Sequence, residues 1–139
     1  NDMAVERDGF KLMADAAQEL GAYQGSVLVT RRGFAQSNEA DLVALTRAMI
    51  AAQELIFTDK ALTLSVMKKN LKGMTDADAE KLYQRMISPG GFTRRAEIDM
   101  KGVATVLRIR ETYGEPQKKM GPVSRYVDLA IYEKALGKK

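Results

Sequence analysis

Apolar positions follow two regimes along this chain. As far as Phe34 they are sparse and broken by Gly9, Gly21, Gly25 and Gly33; from Asn38 onward they recur at spacings of three and four almost to the end. The first regime predicts a short helix-like stretch over Asp2–Asp8 that Gly9 ends, and a brief extended run at Phe10-Lys11-Leu12-Met13. Its strongest signal is Ser26–Arg31, Ser-Val-Leu-Val-Thr-Arg, rich in β-branched residues and closed by Gly33. The unbroken apolar centre predicts a strand buried on both faces, as in an α/β sheet.

The second regime predicts helices. Leu42, Leu45, Met49, Ala52 and Ile56 share one stripe, with Val43 and Ile50 beside them and Asp41, Arg47 and Glu54 opposite, so a long amphipathic helix is expected with that stripe inward. A second helix is expected from about Asp59 to Leu71, with Leu64, Met67 and Leu71 inward and Gly73 at its C-terminal cap. Thr75 is placed to cap a third, and Asp76 and Asp78 sit where a helix dipole favours negative charge. Its apolar face is Ala79, Leu82, Tyr83, Met86 and Ile87, and Pro89-Gly90-Gly91 ends it. Asp99 is placed to cap a fourth, with Ile98 and Val103 spaced as a hydrophobic staple, and Gly114 with Pro116 stops it. Leu129, Tyr132 and Leu136 share a face of a short last helix.

Composition narrows what such a chain can do. The 139 residues, 45% hydrophobic and 29% charged, suit one core, and at this length no disulfide or metal is needed to hold it. Cys and His are both absent. That excludes Ser-His-Asp and Cys-His nucleophiles, Cys/His zinc sites and redox dithiols. No apolar run approaches the ~20 residues that span a bilayer. Asn1 is followed by no basic, apolar, small-residue leader, so any targeting segment is expected to lie outside this sequence.

The net charge of +4 is uneven: residues 1–70 carry 8 Lys/Arg against 9 Asp/Glu, residues 71–139 carry 14 against 9. A basic half attracts nucleic acid or anionic lipid. Here the basic pairs Arg94-Arg95, Lys118-Lys119 and Lys138-Lys139 are interleaved with acids and form no aromatic-rich stripe, which favours a solvated surface.

Candidate chemistry is thin. Neither a P-loop nor a dinucleotide fingerprint occurs. Asp76 and Asp78 imitate the start of a calcium loop without its later Gly and Glu, and Glu97 with Asp99 makes an unconvincing acid/base pair. Arg31, beside Arg32 at the end of the expected strand, carries a guanidinium suited to a sulfonate, nitrate or carboxylate, although a solvated strand end explains it as well. Tyr23 and Gln24 offer a ring and a two-way amide for a small polar ligand, or are plain loop residues. The eight Met sit among Leu and Val as core filler.

Tyr23-Gln24-Gly25-Ser26-Val27-Leu28-Val29-Thr30-Arg31-Arg32-Gly33-Phe34-Ala35, Asn38-Glu39 and the long helix with Arg47-Ala48 and Ala51-Ala52 resemble the return segment of periplasmic solute-binding proteins of ABC importers, of the nitrate/sulfonate/taurine and thiamine-precursor type. Ile98-Asp99-Met100-Lys101-Gly102-Val103, the Leu-Arg-Ile-Arg-Glu stretch, and Arg125-Tyr126-Val127-Asp128-Leu129 leading to Glu133-Lys134-Ala135-Leu136 resemble that subgroup's C-terminal helices. Such proteins are longer, with two α/β lobes closing on a ligand. The resemblance therefore implies a fragment of a type 2 periplasmic-binding-protein-like α/β fold that is mostly α, two short strands followed by about five helices. Residues 1–34 would be the end of the second lobe and the returning crossover strand, and 35–139 the helical region that packs on the first lobe, all in one folded unit.

The function so implied is solute capture by lobe closure and delivery to an ABC permease in a periplasmic or extracytoplasmic setting, with no catalysis and no cofactor or metal. Tyr23, Gln24 and Arg31 are the expected ligand contacts. The apolar strand lacks neighbours within the chain, so self-association is expected as well. The alternative reading is a basic helical nucleic-acid-binding or regulatory module; a carboxylate or lysine enzyme ranks last for want of a convincing acid/base pair.

Overall fold

The computed structural model describes residues 9–11, 13–14 and 16–137, and all regular structure among them is helical. The helices are α1 (Ala16–Leu20), α2 (Arg32–Ser37), α3 (Glu39–Thr58), α4 (Lys60–Asn70), α5 (Asp76–Ile87), α6 (Met100–Tyr113) and α7 (Ala130–Ala135), with a 3-10 turn at Val123–Arg125. The helix expected over Asp2–Asp8 lies outside the described residues, as does Leu12 of the run Phe10–Met13.

The two expected strands are not found among the described residues. Ser26–Arg31 runs without helix or turn as an exposed arm, and Val27, Leu28 and Val29 are 51%, 65% and 85% exposed. The expectation of a strand buried on both faces is therefore corrected. A strand is completed by its neighbour's backbone groups, and the backbone of Val27–Thr30 makes no hydrogen bond among the described residues. β-propensity chooses the side chains of a strand but cannot supply its partner.

Helix boundaries follow local chemistry. Asp59 separates α3 from α4 and serves both: its N–H donates to Leu55 O (2.8 Å), and its Oδ1 accepts from Leu62 N (2.9 Å). Thr75 opens α5 with a capping box, its Oγ1 accepting from Asp78 N (3.1 Å) while its own N–H donates to Asp78 Oδ2 (3.3 Å). Gly91 closes the turn after α5 where a Cβ would run into the carbonyls of Arg85 and Met86, so glycine is required there. Asp99 caps α6, its Oδ1 accepting from Lys101 N (2.9 Å).

Packing joins α2 to α3, α3 to α4, α4 to α5, and α3 to α7. Ile50, Met67, Ala79, Tyr83 and Val103 are the buried apolar residues, with Thr63 among them bonding Asp59 O (2.8 Å). Arg47 holds α7 to α3, donating from Nε to Ala135 O (3.2 Å) and from Nη2 to Lys134 O (3.3 Å). These are the terminal carbonyls that a cation satisfies best.

The long helix buries a face that overlaps its apolar stripe only in part. Ile50 is buried, and Val43, Thr46, Gln53 and Phe57 are half-buried together with Leu42 and Ile56 of the stripe, whereas Leu45 and Met49 are 48% and 37% exposed and Ala52 is exposed. Both faces are apolar enough to pack, and α7, through Arg47 and the Lys134–Glu39 ion pair (2.7 Å), selects the one carrying Ile50.

Candidate functional site

The arm between Leu20 and α2 carries all three expected contact residues, and its anchorage decides what they can do. Gln24 is its fixed point. Its Oε1 accepts from Asp99 N (2.9 Å) at the start of α6, and its Nε2 donates to Ser26 O (2.8 Å), so both ends of the amide are engaged within the protein. Gly102, one turn into α6 and buried, makes the seat possible. A Cβ there would come within 2.7 Å of Gln24 N and 2.9 Å of the Tyr23 carbonyl carbon.

Tyr23 is 47% exposed next to that seat, and its ring lies within van der Waals reach of a Cβ built at Gly25. Arg31 sits at the far end of the arm as the residue preceding α2, where its backbone O accepts from Ala35 N (3.0 Å). Its exposed side chain makes no ion pair among the described residues. The fold thus joins Tyr23 and Gln24 at the α6 N-terminus, and no hydrogen bond or ion pair links Arg31 to either. The seat formed by Asp99 and Gly102 was not legible as such. Asp99 reads as a cap and Gly102 as a helix glycine, and only the returning arm gives them their shared role.

Two other places on the surface gather side chains. A shallow groove of about 280 Å³ runs between α6 and residues 120–123, lined by Ala104, Leu107, Arg108, Met120, Pro122 and Val123. It falls just short of the ~300–1,000 Å³ of small-molecule pockets, and the neighbouring Glu111 carboxylate already accepts from Met120 N (3.3 Å).

The loop from Ser88 to Asp99 is held by three contacts from α3 and α7: Gln53 Nε2 donates to Thr93 O (2.6 Å), Arg95 pairs with Glu54 (3.4 Å), and Tyr132 Oη donates to Arg95 O (3.0 Å). Burial, then the nearby Glu97 carboxylate, raise the Tyr132 hydroxyl above its ordinary pKa of 10.0 against a smaller opposing pull from Arg95. These bonds fix the loop and assemble no nucleophile with a base. Among the described residues no three acidic side chains gather as a metal site, and no helix is long and apolar enough to cross a membrane.

No family model, curated protein or solved structure matches this chain.

Proposed function

We propose that this chain forms part of the substrate-binding component of an ABC importer, capturing a small anionic or zwitterionic solute such as nitrate, a sulfonate or taurine outside the cytoplasm and handing it to a membrane permease. The observation that carries the reading is the arm. It is an exposed apolar segment with Tyr23, Gln24 and Arg31 near its ends, fastened to the helical body at Gln24 and leading directly into α2 and α3. The order of segments that resembles the nitrate/sulfonate/taurine-type receptors supports the same reading.

In this reading solute binding closes two lobes about such a crossing segment, and contacts from both lobes stabilise the closed form without chemistry. Arg31 supplies the charge partner and Tyr23 the ring. Gln24, with its amide engaged at both ends, holds Tyr23 in place.

The test is a thermal-shift series with nitrate, taurine, alkyl sulfonates and pyrimidine precursors, with duplex DNA as the contrasting arm. A solute at a hundredfold excess over its dissociation constant stabilises by about 2.7 kcal/mol, and Arg31→Ala is expected to abolish that shift. No shift with any solute, together with a salt-sensitive shift with DNA, refutes the receptor reading in favour of a nucleic-acid module.

A further inference from the structure

The exposed arm reads nearly the same in both directions: Ser26-Val27-Leu28-Val29-Thr30. Laid antiparallel against a second copy about a two-fold axis at Leu28, it sets Val27 opposite Val29, Leu28 opposite Leu28, and Ser26 opposite Thr30. The Val27–Val29 and Ser26–Thr30 pairs are of the β-branched and hydroxyl kinds that stabilise antiparallel strands, and Leu28 adds an apolar pair on the axis. The same register sets Arg31 against Gly25 where the arm ends, so no like charges face each other directly.

Backbone groups of Val27–Thr30 make no hydrogen bond among the described residues, and their side chains are exposed in the single chain. Such an edge is a template for another strand. A two-stranded ribbon alone is marginal and needs an apolar cover. The unused face of α3, with Leu45, Met49 and Ala52 exposed in one stripe, is an apolar surface of the right kind.

We infer that two copies of this chain form a two-fold dimer in which the arms pair antiparallel through Ser26–Thr30 and the outer faces of α3 cover the resulting ribbon. The inference does not rest on the transport reading: mass in solution tests one, solute-dependent melting the other.

Sedimentation velocity of the intact chain at ~1–50 μM, the range in which weak apolar associations show themselves, is expected to give a dimer. L28K places two ammonium groups face to face on the axis and is expected to raise the dimer dissociation constant about tenfold. Leu28 is 65% exposed, so helicity by circular dichroism should stay that of the parent. L28E should behave as L28K does, and an equimolar mixture of the two should recover the dimer. M49E, on the outer face of α3, should also weaken it. A monomer at ~50 μM, a dimer indifferent to L28K, or a failure of the charge-swapped mixture to re-associate overturns the inference.

Discussion

Gly102→Ala puts the seating of the arm to a quantitative test. The new methyl would meet backbone atoms, Gln24 N at 2.7 Å and the Tyr23 carbonyl carbon at 2.9 Å, together with Asp99 Oδ2 at 3.3 Å. Backbone cannot rotate out of the way as a side chain does. If the arm stayed seated, overpacking would cost about 1–3 kcal/mol, against a gain of about 1 kcal/mol from replacing Gly by Ala inside a helix. If the arm leaves instead, the loss is chiefly the hydrogen bond from Asp99 N to Gln24, about 0.5–1.5 kcal/mol, which the helix gain largely offsets.

Release is therefore the cheaper outcome. Global stability should change by less than about 1 kcal/mol, while the Asp99 amide loses its protection. Hydrogen exchange followed by NMR should show that amide exchanging about fivefold faster, the equivalent of about 1 kcal/mol. Gln24→Ala should expose the same amide, and the double variant should add little to either single change because both remove one contact. An Asp99 amide as protected in Gly102→Ala as in the parent chain refutes the seat.

Further outcomes follow from single contacts. Thr75→Ala removes one half of the capping box on α5 and should lower stability by about 1 kcal/mol in urea unfolding, whereas Thr75→Ser should retain most of it. Tyr83, 5% exposed, should cost about 3–5 kcal/mol as Tyr83→Ala, enough to abolish cooperative melting of so small a core; Tyr83→Phe keeps the ring under Lys60 Nζ and should melt near the parent temperature.

Tyr132 has its folded-state pKa raised, so its contribution is fully present below the ordinary value of 10.0 and is lost as pH rises above it. Urea unfolding of Tyr132→Phe should show a smaller loss of stability across that alkaline range than the parent. Glu80 behaves oppositely: hydrogen bonds from Lys60 and then Gln84 lower its pKa from the ordinary 4.5, so its contribution is present above that value and fades as pH falls below it. Glu80→Gln should flatten this acid limb of the stability profile.

Much of the helical framework was readable because helix ends are local events. Thr75 reaches Asp78 three residues on and Asp99 reaches Lys101, so the expected caps located the starts of α5 and α6, whereas α4 ends with Leu71 as its cap rather than the expected Gly73. The candidate site was legible only as residue types. That Tyr23 and Gln24 meet α6 depends on a hydrogen bond spanning 75 positions, which no local pattern announces.

What the sequence by itself determined, then, is where backbone groups find partners within a few residues: the extents and caps of the helices, and the absence of imidazole and thiol chemistry. Tertiary structure alone decided which of two apolar faces α3 buries, since periodicity marks a face as able to pack and only a neighbour such as α7 can choose it. It likewise decided the state of Ser26–Arg31. A helix closes its hydrogen bonds on itself, but a strand depends on another chain segment, so a strand-like sequence here remains an open arm.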